Sequence, residues 1–131
     1  MQNMSSGKSA LGLDSNLVAM LCYVANFCCY LGLILSIITV VTDKTNKLAR
    51  FHAFQSIMLS ATGIVLAIVL NVFSIIGAAA NSTVISLGVG GLALIVGLGF
   101  LVAVVYTAIQ AYQGTLFKLP VIGDLADKWS N

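Results

Sequence analysis

The sequence predicts an all-α integral membrane protein, a three-transmembrane-helix bundle with a C-terminal interfacial segment. Three observations carry this. Residues 17–42, 51–80 and 84–112 are apolar runs without a single Asp, Glu, Lys or Arg. The 131-residue chain is 60% hydrophobic and 8% charged, where a soluble domain would carry about a quarter charged residues. Each run also exceeds the roughly 20 residues that a helix needs to cross the hydrocarbon core, about 30 Å thick. The runs are continuous rather than alternating, so helices are expected, each satisfying its own backbone in lipid.

In chain order, residues 1–16 form a polar N-terminal tail, with none of the basic start and short apolar core of a secretory signal. Residues 17–42 read as one retained span. The polar loop Asp43-Lys44-Thr45-Asn46-Lys47 separates it from the run 51–80. That second run would reach about 45 Å as a helix. Residues 72–80 are therefore expected to tilt, to project or to form an interfacial loop. The turn Asn81-Ser82-Thr83 leads to the run 84–112, and Gly114 is placed to stop that helix. The tail 113–131 has too few apolar residues to span. Lys118, Lys128 and Trp129 suit an interface, so it is expected to fold back on the membrane, or to serve as a docking strip. Three spans put Lys44, Lys47, Arg50, Lys118 and Lys128 on one side and Lys8 on the other. The excess marks the cytoplasmic side, which leaves the N-terminus outside.

The candidate functional residues are few. Cys22, Cys28 and Cys29 lie inside the first run and read as small apolar residues. No metal set, catalytic pair or phosphate loop appears, so neither an enzyme nor a bound cofactor is expected. A net charge of +2 without a basic cluster gives no case for nucleic acid. His52, Gln55, Gln110 and Gln113 fall near the cytoplasmic ends of the second and third spans. They form either a polar vestibule or hydrogen-bonding glue between helices. Asn26, near mid-bilayer, reads as a helix–helix bond. Gly99 and Ala103, four apart, are expected at a close helix contact. Lys44, Lys47 and Arg50 are candidates for anionic lipid headgroups, with a plain interfacial anchor as the alternative for Arg50.

Two segments carry a resemblance. Arg50-Phe51-His52-Ala53-Phe54-Gln55-Ser56 opens the second span. Ala111-Tyr112-Gln113-Gly114, then Phe117-Lys118-Leu119-Pro120-Val121-Ile122-Gly123-Asp124, closes the third. This pairing resembles a family of small multi-span bacterial membrane proteins, related to the roughly twenty-kilodalton chloroplast inner-envelope (Tic-type) protein-import component. The resemblance singles out Arg50, His52, Gln55, Gly114, Pro120, Gly123 and Asp124, and implies a bacterial inner-membrane location. The expected function is association: an accessory subunit of a membrane complex or a small homo-oligomer, its partners being lipids and other membrane subunits or itself. A channel or translocon-like component built from several copies is the alternative. The two motif segments are expected to meet, with Arg50 reaching the backbone near Gly114 or Asp124, and His52 and Gln55 reaching Tyr106, Gln110 or Gln113.

Overall fold

The structure is a computed structural model that describes residues 7–28 and 30–131. Among these residues five α-helices follow one another: α1 (Ser15–Val24), α2 (Leu31–Thr42), α3 (Lys47–Ala79), α4 (Thr83–Tyr112) and α5 (Ile122–Ser130). A 3₁₀ turn, Ala25–Phe27, follows α1 directly. The chain divides into two units: Met1–Ser60 with Val104–Asn131, and Ala61–Ala103.

Two helices, α3 with 33 residues and α4 with 30, are long and apolar enough to cross a bilayer. The run 17–42 is not a third. It breaks into α1 and α2, which turn back on each other. At 1.5 Å per residue these are about 15 and 18 Å long, roughly half the hydrocarbon thickness. The break has local causes. Cys28 leaves helical geometry, and Tyr30 takes the left-handed conformation at φ 61°. The Asn26 amide donates to Ser56 Oγ at 3.2 Å and to Ser60 Oγ at 3.0 Å, holding the turn against α3. Gly32 permits the return: a Cβ there would lie 2.5 Å from the Cys22 carbonyl oxygen and 2.6 Å from the Asn26 nitrogen. Cys22 is buried and Cys28 exposed. Cys29 lies outside the described residues.

The hairpin brings the N-terminal segment beside the first loop. The Ala10 N–H donates to Asp43 Oδ2 at 3.2 Å, and the Asn16 amide donates to the Tyr112 carbonyl at 3.0 Å. Residues 7–16 thus share one end of their unit with the first loop and the end of α4. The loop itself is held by Asp43 Oδ1, which accepts the Asn46 N–H, and by Asn46 Oδ1, which accepts the Ala49 N–H and so caps α3.

In the unit Ala61–Ala103, α3 runs helically through residues 72–79, so the interfacial loop considered there does not form. Asn81, at φ 49°, ends α3 with bonds from Asn81 N to Ala78 O and from Ser82 N to Gly77 O, the Schellman pattern. Ser82 Oγ then accepts the Ile85 N–H and starts α4. The close contacts are Gly63 under the Phe100 ring and Gly77 under Ile85. Gly99 makes none: a Cβ there would meet nothing within 4 Å. Phe100 over Gly63 turns Gly99 away, because neighbouring residues lie 100° apart around a helix. Ala103 is half-buried.

A paired substitution tests the hairpin. Adding a methyl in a helix interior normally stabilises by about 0.5–1 kcal/mol, and Gly99→Ala is expected to do so. Gly32→Ala must push two backbones apart, and is expected to destabilise by about 1–3 kcal/mol. Thermal unfolding in detergent reads both. Equal melting points would contradict the close return at Gly32.

Candidate functional site

The polar side chains of the unit Met1–Ser60 with Val104–Asn131 converge on the segment that follows α4. That segment begins where Gly114, at φ 74°, ends α4 with bonds from Gly114 N to Ala111 O and from Thr115 N to Gln110 O, again a Schellman ending that favours glycine. Residues 116–119 then run without regular secondary structure, and the Phe117 N–H turns back to the Thr115 carbonyl at 3.0 Å. Backbone groups of Thr115, Phe117 and Leu119 face α3, where two side chains one turn apart hold them.

His52 Nε2 lies 2.9 Å from the Thr115 carbonyl. A carbonyl only accepts, so Nε2 carries the proton and Nδ1 is left to accept. The Tyr23 hydroxyl, 3.0 Å from Nδ1, donates to it. The Gln55 amide pairs with the segment as a neighbouring peptide would. Its Nε2 donates to the Phe117 carbonyl at 3.1 Å, and its Oε1 accepts the Leu119 N–H at 3.3 Å. The second Nε2 hydrogen goes to the Tyr23 hydroxyl at 3.1 Å. Tyr23, His52 and Gln55 are fully buried. Their bonds leave one consistent assignment of the imidazole tautomer and of the amide orientation.

Apolar packing closes the clasp. Leu116 and Ala126 bury against Leu48 and Phe51, with Phe54 and Met58 alongside. The Tyr106 and Phe117 rings meet edge to face, 4.9 Å apart, a favourable aromatic geometry. A Cβ on Gly123 would sit 2.5 Å from Lys118 Cα, so glycine lets α5 fold tightly back after Pro120. At the rim, Lys118 Nζ donates to Asp127 at 2.7 Å, with Asp124 at 3.8 Å, and Lys47 lies 3.3 Å from Asp127. The hydrogen bond from Lys118, then that from Lys47, holds the Asp127 carboxyl below its ordinary pKa, against a smaller opposing effect of burial. These groups are solvated, so the pairs contribute little.

The two motif segments thus meet through His52 and Gln55, but not through the bonds expected from sequence. Arg50 turns the other way. Its Nη1 donates to the Val40 carbonyl at 3.3 Å and the Asp43 carbonyl at 3.5 Å, capping α2, while the guanidinium stands 5.7 Å from the centre of the Phe54 ring. Its acceptors are carbonyls freed at the C-terminal end of α2, rather than those at Gly114. Gln110 accepts from the Thr115 hydroxyl through both its backbone and side-chain oxygens. Gln113 is exposed and borders an open apolar cleft of about 250 Å³ beside Met20, Val24 and Ile109. Lys44 is exposed. Tyr23 is the residue that sequence reasoning missed. Placed on a continuous span, its hydroxyl had no visible partner.

Residues 14–126 match the magnetosome magnetite crystal formation protein family, MamF/MmsF. The chain belongs to this family. Two membrane proteins of Methanocaldococcus jannaschii resemble this MamF/MmsF member along most of its length. UPF0132 membrane protein MJ1443 is 36% identical over 124 residues, 95% of this chain and 96% of its own. UPF0132 membrane protein MJ1527 is 33% identical over 120 residues, 92% of this chain and 73% of its own. No solved structure matches. The family and its relatives make the chain a membrane protein, in agreement with the two long apolar helices. These matches show no link to the chloroplast import component.

Two outcomes follow for the clasp. Gln55→Leu leaves the Phe117 carbonyl and Leu119 N–H unpaired, at about 1–3 kcal/mol for each buried group. Limited proteolysis near Lys118 should speed at least tenfold, with insertion unchanged; unchanged cleavage would contradict the clasp. The Asp127 pairs behave differently. A depressed carboxyl pKa contributes stability above the ordinary value, about 3.9, and loses it as pH falls through the lower folded value. Protection of the α5 amides, with exchange rates corrected for their intrinsic pH dependence, should therefore be flat from pH 7 to 5 and fall only below about pH 4.

Proposed function

We propose that this protein is a non-enzymatic integral membrane protein that acts by association, as an accessory subunit of a larger membrane complex or as a small homo-oligomer. The observation that carries the reading is the uncovered surface of α3 and α4 in the unit Ala61–Ala103. Val65, Ile68, Ile75, Leu87, Leu94 and Ile95 are exposed. Beside them, a Cβ added at Gly88, Gly90, Gly91 or Gly97 would meet nothing within 4 Å. Lipid covers apolar side chains as well as protein does, but exposed backbone at glycine favours close approach by another helix. The buried polar groups of the clasp support the same reading. They are bonded to one another and to the tail backbone, in a structural arrangement. The family description names magnetite crystal formation; the reading for this chain is association within the membrane, whichever process it serves.

The proposed orientation has two crossing helices and a half-deep hairpin. The N-terminal segment, the first loop and the tail then share a side, which gathers Lys8, Lys44, Lys47, Arg50, Lys118 and Lys128 together. The other side carries the uncharged turn at Asn81 and Ser82. By the charge rule the basic side is cytoplasmic.

Native mass spectrometry of the chain extracted in lipid nanodiscs tests association. Oligomers or a defined complex are expected, and Gly90→Leu with Gly97→Leu should reduce them severalfold. A monomer without companions, or ion conductance by the purified chain in planar bilayers, would overturn the reading. Cysteines introduced at Lys8 and Ser82, in a chain without its native cysteines, test the orientation. An impermeant maleimide on intact cells should label position 82 alone; labelling at position 8 would reverse it.

A further inference from the structure

The outer face of α5 is neither packed nor simply polar. Gly123, Ala126 and Ser130 are buried beneath the helix. Leu125 and Trp129, four residues apart in the helix and so on one face, are 41% and 52% exposed, and Val121, just before the helix, is 74% exposed. Lys118 and Lys128 flank this stripe. The helix has a fixed depth relative to the span. Asp127 pairs with Lys47, the first residue of α3, at 3.3 Å. Trp129 meets the Phe54 ring at 6.2 Å between centroids. Phe54 lies seven residues into α3, about 10 Å along its axis. The stripe therefore lies alongside the first turns of a membrane-crossing helix, where charged flank gives way to apolar run.

We propose that α5 is an interfacial anchor whose partner is the headgroup layer of anionic phospholipids. The inference rests on the membrane reading above and names the partner of this one face. Trp and Lys are the side chains that favour this depth, Trp for its amphipathic ring and Lys for its long stem and charged tip. Charge complementarity favours anionic lipid. Among the described residues Lys8, Lys44 and Lys128 make no ion pair, while Asp127 and Asp124 already face Lys118. Three apolar side chains, two on a nine-residue helix and one just before it, also fall well short of the roughly 800 Å² per partner of a standard protein interface. A lipid surface has no such minimum, since each exposed side chain partitions on its own.

Trp129 is the only tryptophan in the chain, so its fluorescence reports on this face alone. The full-length protein is placed in phosphatidylcholine nanodiscs, with and without one third phosphatidylglycerol, and with acyl chains brominated close to the headgroup. The anchor predicts quenching by brominated lipid, protection from aqueous acrylamide, and stronger quenching when phosphatidylglycerol is present. Leu125→Asp, on the exposed face, should reduce bromolipid quenching at least twofold, and Lys128→Gln should remove the phosphatidylglycerol increment. Free access of acrylamide without bromolipid quenching would overturn the proposal, as would protection from both, which would mean a protein covers the face. Equal quenching in neutral and anionic lipid would overturn the anionic partner. Native mass spectra of the same nanodiscs report association separately, so failure of the anchor and failure of the association reading are distinguishable.

Discussion

One hydroxyl group joins three parts of the chain. The Tyr23 oxygen donates to His52 and accepts from Gln55, and those two side chains hold the backbone of residues 115–119. The hairpin, the start of α3 and the C-terminal segment are thus ordered by one set of mutually dependent bonds. Burial gives the arrangement its force. A peptide group without a partner is expensive away from water, and these side chains supply the partners. Each bond also fixes the next: the Thr115 carbonyl selects the His52 tautomer, which gives the Tyr23 proton its acceptor, which leaves the phenol oxygen free for Gln55.

Most of the elements were legible in the sequence, and the topology was not. The long runs at 51–80 and 84–112 needed only length and hydropathy, and α3 and α4 occupy them. Gly114 read correctly as a helix stop because a left-handed ending favours glycine. The run 17–42 misled for a physical reason. Nothing in its local composition ends a helix: it holds no proline, and its turn places Tyr30, a residue that disfavours positive φ, where glycine would have announced a break. The turn is held by Asn26, which bonds Ser56 and Ser60 of α3, and by the room at Gly32 beside Cys22 and Asn26. Both were visible as letters, yet the partners of Asn26 lie 30 and 34 positions away.

The same nonlocal logic explains the candidate site. His52 and Gln55 stood out as polar residues in an apolar helix. Their partners are backbone atoms, which carry no sequence signature, and a tyrosine placed by the unforeseen hairpin. Arg50 instead caps the C-terminal end of α2, where the last carbonyls lack helical partners. Reading the first run as a hairpin corrects the helix count and places residues 7–16 beside the first loop.

The central claim is that the hairpin orders the C-terminal segment through Tyr23. Amide hydrogen exchange at Leu119 in the Tyr23→Phe variant tests it most directly, because the substitution removes one oxygen, which bonds the Gln55 amide, and changes neither Leu119 nor Gln55 itself. The loss of a buried hydrogen bond is worth about 1 kcal/mol, and more where a partner is left unpaired. Exchange at Leu119 should therefore speed roughly five- to tenfold, with amides in the unit Ala61–Ala103 unchanged. Exchange at Leu119 identical in the two proteins would contradict the account.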